Sequence, residues 1–303
     1  MAGLYEGGNE PAGSLKVITI RSNNKLSQWR PIYSGVRQGC GLSPLLFIIY
    51  INRIIQDWRQ TRHGFIPINR NLQLDALLFA DDLVLMASTE DDLQYSVHNL
   101  NKVSEKYNME INIEKSKIMS FCGKFPVPSK ICLNNKIIER VNTFTYLGYT
   151  LSPYDEVDIA EKICKYNKTM GIINKIMKPS LVQRHTRIGL YKTLAQPVLS
   201  YGSEAWTVKN KDVSRITASV MWFMRATAGY TRWDHKKNED LMQELQIEPI
   251  MQFISKYQLQ WEGHLERMNR CKIPKALLHY HPYGKRSLGR PKKRWTENSS
   301  LRP

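Results

Sequence analysis

Apolar positions along the chain keep two rhythms, and the balance between them shifts near residues 151–155. Before that point, short alternating runs are interleaved with two helical patterns. "SLKVITIRSNNKLSQWRPIY" predicts two strands around an Asn23-Asn24 turn. "LLFIIYINRIIQDWRQ" places apolar residues at helical spacing, with Ser43 and Pro44 as helix-start signals. "DALLFADDLVLMAS" predicts a strand, a two-residue turn and a strand. "TEDDLQYSVHNLNKVSEKYNME" predicts an amphipathic helix, opened by Thr89 and by acidic residues that suit a positive helix end. "INIEKSKIMSFCG" and "NTFTYLGYTLS" return to strand-like patterning.

Beyond residue 152 the helical rhythm dominates. "EVDIAEKICKYNKTMGIINKIM" and "QRHTRIGLYKTLAQPVLSYGSEAW" predict helices, the second interrupted at Pro197. "VSRITASVMWFMRATAG" and "PIMQFISKYQLQWEGHLERM" predict two more. The end, "HPYGKRSLGRPKKRWTENSSLRP", is rich in glycine, proline and basic residues and predicts a flexible basic tail over 271–303. The expected division is 1–151, 152–270 and 271–303, with no internal repeat.

Composition narrows the classes. A hydrophobic content of 42% and seven tryptophans argue against wholesale disorder. No uninterrupted apolar run reaches the ~18 residues of a membrane span, and the first ten residues lack the basic-then-apolar order of a secretory signal. Five scattered cysteines suit a reducing compartment, so the expected location is nuclear or cytoplasmic and not secreted. The net charge of +17 points to a polyanionic partner. Most of it lies late: residues 152–303 hold 27 Lys/Arg and 14 Asp/Glu.

The candidate chemistry starts from "LLFADDLVLM". Asp81 and Asp82 stand side by side in an apolar run, where they repel each other and fit no hydrophobic core. A strand–turn–strand unit can present both at one exposed tip while the apolar flanks anchor the strands. A divalent metal is the strongest positive partner for such a pair. Phosphoryl-transfer enzymes use carboxylates this way to hold two ions about 3.5–4 Å apart. Taken alone, the same dipeptide is also what an acidic hairpin turn looks like.

The neighbouring motifs decide between these. "GVRQGCGLSPLLFIIYI" (35–51), "LLFADDLVLM" (77–86), "INIEKSKIM" (111–119) and "NTFTYLGYTLS" (142–152) occur in that order. Together with "LYEGG" ahead of them, they resemble the successive palm and thumb-edge motifs of reverse transcriptases from non-LTR (LINE-like) retrotransposons. The resemblance covers 4–152. Further on, "LYKTLAQPVLSYGSEAW", "LQWEGHLERM" and "GKRSLGRPKKRW" look like the region downstream of the polymerase in such elements. It implies an α+β fold: a partial right-hand polymerase palm, an antiparallel sheet with packed helices, followed by a mostly helical thumb and C-terminal region. It implies that Asp81 and Asp82 are catalytic metal ligands for Mg2+ or Mn2+, and that Phe79 and Ala80 beside them contact the nucleotide and template. Arg37, Gln38 and Gly39 would line the incoming nucleotide and template, the glycines at 35, 39 and 41 letting backbone approach a base pair. Lys115 or Lys117 would meet pyrophosphate, and Tyr146, Leu147 and Gly148 would grip the primer end. The implied partners are an RNA template and a DNA primer, with no membrane; the oligomeric state is left open.

That family also needs a third carboxylate, on a strand upstream of the glycine-rich motif. Residues 1–34 contain only Glu6 and Glu10 as acids, neither on a plausible apolar strand. The expectation is therefore an N-terminally truncated polymerase portion, inactive alone and less stable in its first half than in its helical second half. The alternative is a non-enzymatic nucleic-acid-binding protein derived from such an element. Cys271, His264, His279 and His281 lack the paired spacing of a structural zinc site. In the tail, Lys285, Arg286, Arg290, Lys292, Lys293 and Arg294 are expected to contact phosphates, with Tyr283 and Trp295 available to stack on bases. "LGRPKKRW" is similar to part of a minor-groove-binding core, and "RPKKR" suits nuclear import.

Overall fold

The computed structural model describes residues 3–5, 16–22, 25–26, 28, 30–32, 35–36, 39–61, 64–69, 72–121, 130–153, 157–280, 289 and 294–295. Outside them lie Asn23 and Asn24, Arg37 and Gln38, His281 and Tyr283, and the tail residues Lys285, Arg286, Arg290, Lys292 and Lys293. The elements are mixed helices and small sheets. The first strands are β1 (Gly3–Tyr5), β2 (Lys16–Ser22), β3 (Lys25–Leu26) and β4 (Arg30–Ile32), followed by helix α1 (Ser43–Gln60). Hairpin strands β5 (Ile66–Asn69), β6 (Leu72–Leu74), β7 (Ala76–Phe79) and β8 (Asp82–Leu85) lead into α2 (Glu90–Lys106). Next come β9 (Lys117–Ile118), β10 (Cys132–Leu133), β11 (Lys136–Ile137), β12 (Glu139–Arg140), β13 (Phe144–Tyr146) and β14 (Tyr149–Leu151). The helices after them are α3 (Asp158–Ile176), α4 (Arg184–Leu190), α5 (Gln196–Ser200), α6 (Asn210–Ala228), α7 (Asn238–Glu244), α8 (Ile250–Arg267) and α9 (Ile273–Leu278).

Two compact units result. The smaller comprises 1–63, 76–85 and 95–110, and the larger 64–75, 86–94 and 111–303. In the smaller unit β2 pairs antiparallel with β1, β3 and β4. Helix α1 begins with Leu42 at its cap position and with Ser43 and Pro44 in its first turn. Its C-terminal half buries Ile54, Ile55 and Trp58, and the Trp58 indole N–H donates to the Ser96 carbonyl at 3.1 Å. Tyr107 donates to Asp57 at 2.6 Å and meets Tyr50 edge-on. The N-terminal half is the reverse: Leu45, Leu46, Ile48 and Ile49 are all more than half exposed.

Among the described residues the strands form six small sheets, as a mixed α+β fold has. Five of the six are antiparallel in every pairing, and β9–β12 is a two-residue parallel ladder. Among the described residues of "INIEKSKIMSFCG" the strand is Lys117–Ile118, because Asn112 closes a turn by accepting the Lys115 N–H on its side chain. At α2 the expectation holds. Thr89 Oγ1 accepts the Asp92 N–H and donates to the Asp92 carboxylate at 2.7 Å, ahead of an acidic first turn.

The larger unit holds the main core. Ile159, Ile163, Tyr166 and Met170 of α3 pack with Tyr191, Leu199, Trp206, Ile216, Val220, Phe223, Leu241 and Ile254 in one buried cluster. Between α4 and α5 the chain widens into a π-helical turn, Tyr191–Ala195, ahead of Pro197, which has no N–H to continue the α ladder. This is the interruption the sequence predicts. Gly229 ends α6 in a left-handed conformation. Helix α9 stands inside the stretch expected to be tail, with Lys275 donating to the Glu266 carbonyl at 2.9 Å.

A polar knot ties α4, α7 and the loop between α6 and α7. Glu244 accepts from Arg184 at 2.9 Å, from Tyr230 at 3.0 Å and from Lys236. Lys236 and Tyr230 hold the Glu244 carboxyl below the usual carboxylate range, and Glu244 and Tyr230 hold the Lys236 ammonium above the usual lysine range. The carboxylate's contribution to stability is complete above its unfolded pKa and fades as pH falls through the depressed folded value. The ammonium's contribution fades only at alkaline pH. The Tm difference between wild type and Glu244→Gln should be constant from pH 6 to 8 and shrink below about pH 4.5. A difference unchanged down to pH 3 would refute that linkage.

Candidate functional site

The β7–β8 hairpin pairs Ala76 with Leu85, Leu77 with Val84, Leu78 with Leu83 and Phe79 with Asp82. Ala80 and Asp81 form the turn, so Asp81 sits at its apex and Asp82 opens the returning strand. Both carboxylates are exposed. Ala80 adopts φ +51°, the left-handed region disfavoured by about 1–2 kcal/mol for a residue with a Cβ. Phe79, directly across from Asp82, is 60% exposed, and Leu77 and Leu78 also face water. Among the described residues no third strand pairs with this hairpin. Its apolar stems and unpaired edges resemble a sheet fragment rather than a finished sheet.

Of the glycine-rich motif, Gly39 is exposed just ahead of α1. Gly35 and Gly39 take φ +103° and +87°, and a Cβ added at either would meet open space. Backbone conformation, not close packing within the chain, requires glycine there. Lys115 is exposed in the turn before β9. Lys117 is committed: its ammonium pairs with Glu139 at 2.6 Å and donates to the Glu114 carbonyl at 2.8 Å.

The β13–β14 hairpin is more constrained. Phe144 pairs with Leu151, Thr145 with Thr150 and Tyr146 with Tyr149, leaving Leu147 and Gly148 as the turn. Their φ values, +47° and +76°, are both positive, as the tightest hairpin turns require. Gly148 suits this at no steric cost, whereas Leu147 is disfavoured by about 1–2 kcal/mol. Tertiary bonds hold the turn down. The Tyr201 hydroxyl donates to the Leu147 carbonyl at 2.7 Å, and Lys162 Nζ donates to the Gly148 carbonyl at 2.5 Å. The Tyr201 ring lies so close that a Cβ on Gly148 would come within 3.0 Å of it.

Beneath that turn lies a buried polar cluster that sequence patterning alone does not single out. Asp158 is fully buried; it accepts the Thr150 N–H at 3.0 Å and the Trp206 indole N–H at 2.8 Å, and stands 3.5 Å from Lys162 Nζ. Lys162 is 4% exposed and lies 4.9 Å from the centre of the Tyr201 ring. Thr150 donates its hydroxyl to Glu161 at 2.7 Å, and a Cβ on Gly202 would reach 2.8 Å from the Tyr149 ring. The available signal was the Asp158–Lys162 spacing of four, which places two charges on the buried face of α3. "SYGSEAW" is the loop that closes over the hairpin.

The implied metal set is tested by its donors. A hard divalent cation takes six or more oxygens, and a two-ion centre needs carboxylates from more than one direction. Among the described residues no group of three or more His, Cys, Asp or Glu lies together. Asp81 and Asp82, both at one hairpin tip, therefore do not by themselves fit a two-ion centre. At the far end of the chain, Arg294 is half-buried and the Trp295 indole N–H donates to the Glu204 carbonyl at 2.6 Å. Trp295, expected to be available for stacking, is thus seated on the "SYGSEAW" loop. No helix is long and apolar enough to cross a membrane among the described residues.

Residues 10–151 match the family described as reverse transcriptase (RNA-dependent DNA polymerase). A putative uncharacterized transposon-derived protein of Caenorhabditis elegans is 25% identical over 236 residues, covering 74% of this chain and 84% of that protein. The probable RNA-directed DNA polymerase from transposon X-element of Drosophila melanogaster is 22% identical over 299 residues, covering 88% of this chain and 30% of its own length. The retrovirus-related Pol polyprotein from type-1 retrotransposable element R2 of Popillia japonica is 28% identical over 197 residues, covering 62% and 31%. The chain thus spans most of the nematode relative but about a third of the X-element and R2 proteins.

Proposed function

For a chain whose residues 10–151 are a reverse transcriptase domain homologous to the RNA-directed DNA polymerases of non-LTR retrotransposons, we propose that the β7–β8 hairpin is the carboxylate-bearing tip of the palm. The observation that carries this is the pair Asp81 and Asp82, exposed at a strained two-residue turn on apolar stems. The substrates are a DNA primer on an RNA template and the incoming nucleotides, with Mg2+ or Mn2+ as the ion. When bound between carboxylates, such ions activate the attacking hydroxyl and stabilise the leaving pyrophosphate. The chain's own residues do the positioning. Arg37, Gln38 and Gly39 line nucleotide and template. Lys115 meets pyrophosphate in preference to Lys117, whose charge is already matched by Glu139. Tyr146, Leu147 and Gly148 contact the primer end, and the helices after them serve as thumb and C-terminal region.

Because two carboxylates on one tip do not enclose two ions, and no third acid joins them among the described residues, the chain on its own binds primed template without extending it. In an assay with primed RNA, Mg2+ and all four nucleotides, no extension is expected. Robust extension abolished by Asp81→Ala would overturn this. Binding tests the rest of the assignment: primed RNA should be held more tightly than the same RNA without primer. Equal affinity for both would remove the primer-contacting role of the second hairpin.

A further inference from the structure

The family match ends at residue 151, and the groups that hold the β13–β14 turn from outside the hairpin, Asp158, Lys162 and Tyr201, lie beyond it. From that arrangement we infer that Tyr201 is a positioning residue for primer contact, and that the helical region after the reverse transcriptase domain presets the turn. The inference rests on the primer-contacting role proposed above for Tyr146, Leu147 and Gly148.

The hairpin and the loop that carries Tyr201 interlock. The Tyr201 ring lies over Gly148, where an added Cβ would come within 3.0 Å of it. The Tyr149 ring lies over Gly202, where the same atom would come within 2.8 Å. Each glycine thus admits the ring that neighbours the other, and both take positive φ, +76° and +79°, so a side chain at either would be strained. The loop is also fixed from behind. The buried Gln258 of α8 donates to the Ser203 carbonyl at 2.8 Å and to the Trp206 carbonyl at 3.2 Å. Trp206 in turn donates to Asp158, and Trp295 is seated on Glu204. Tyr201 is therefore held through its neighbours, while its side chain stays 55% exposed and its hydroxyl reaches the Leu147 carbonyl.

The hydroxyl matters because of what the turn would do without it. Leu147 sits at φ +47°, and Leu-Gly is not the Asn-Gly pair that adopts such a turn unaided. With both turn carbonyls accepting from Tyr201 and Lys162, the turn is fixed before a ligand arrives, and less ordering is left to be done on binding. The same two bonds occupy carbonyl oxygens that would otherwise repel the phosphates of a primer strand. Lys162 shares the task, but it is buried beside Asp158, so its loss also unsettles the fold. The Tyr201 hydroxyl can be removed alone.

The experiment uses the full chain with primed RNA and the same RNA without primer. Tyr201→Phe should lower the preference for primed RNA about fivefold, the shift in turn population that loss of one hydrogen bond brings. Affinity for unprimed RNA should stay unchanged, hydrogen exchange over 144–151 should quicken, and Tm should fall by no more than about 4 °C. A merely structural role would weaken both RNAs alike. Leu147→Asn supplies the second arm, because Asn-Gly holds the turn unaided. In that background Tyr201→Phe should leave the preference for primed RNA unchanged. A fivefold loss there as well would mean that the hydroxyl acts other than through the turn, and would overturn the positioning role. An unaltered preference in Tyr201→Phe, with or without faster exchange, would overturn it too. Equal affinity of the wild type for both RNAs would instead remove the primer-contacting role of the hairpin, and this inference with it, so the two failures are distinguishable.

Discussion

Asp158→Ala is expected to destabilise the larger unit by about 3–5 kcal/mol and to free the β13–β14 hairpin. The substitution leaves the Lys162 ammonium 4% exposed with no carboxylate beside it, and strips the Thr150 N–H and the Trp206 indole of their acceptor. Lys162→Met should cost less, because Asp158 keeps two N–H donors and methionine fills the lysine's volume. The asymmetry between partners is the diagnostic, since a mere packing contact would weigh equally from either side. Thermal melts measure the loss, and hydrogen exchange over 144–151 measures the hairpin. If both variants melt within a degree of wild type, or exchange there is unchanged, the clamp is not what holds the turn. The consequence for function follows from geometry. Leu147 stays in its disfavoured conformation only while Tyr201 and Lys162 hold the turn's carbonyls, so loosening the cluster should relax the tip.

Arg187→Leu is the second large effect, expected at about 2–4 kcal/mol and roughly a 10 °C fall in Tm. Arg187 is fully buried and stacks 4.8 Å from the centre of the Phe223 ring. Its guanidinium donates to the Thr227 hydroxyl, the Met177 carbonyl and the Asn174 side chain, linking α4 to α6 and to the end of α3. No carboxylate is among those partners, and burial draws its pKa down from the usual arginine value. Removing the charge therefore recovers some desolvation, while leaving one buried and two part-buried acceptors and a gap beside Phe223. Arg187→Lys should retain little of the stability, because one ammonium cannot reproduce the planar fork. A leucine variant as stable as wild type would mean that desolvation of the guanidinium outweighs its three hydrogen bonds.

How much of this was legible in the residues differs from element to element. The strand–turn–strand of "DALLFADDLVLM" was readable to within a residue, because two short apolar runs around a polar pair specify a hairpin locally. The start of α2 was readable from Thr89 and three acids, and the break ahead of Pro197 from the missing N–H. Helices α7 and α9, seven and six residues long, were not: runs that short carry too few turns to show a period. The pairing of the strands was not legible either. Period-2 patterning states that a strand forms, and says nothing of which strand lies beside it.

The candidate site divides in the same way. The Asp81–Asp82 tip follows from local sequence, since adjacent charges in an apolar run constrain the backbone where they stand, whereas the hairpin at Tyr146–Gly148 was legible only through the family resemblance. The reverse transcriptase relationship follows from order and spacing of motifs along 10–151, which is also a property of the linear chain. What only the tertiary structure decided is partnership. It committed Lys117 to Glu139 while leaving Lys115 exposed, and seated Trp295 on Glu204. Below the hairpin it buried Asp158 and Lys162, and it set the Tyr201 ring over Gly148. A residue's conformational preference is written in its own neighbours along the chain. Its charge partner, its burial and its exposure depend on residues tens of positions away, and those distances are closed only by folding.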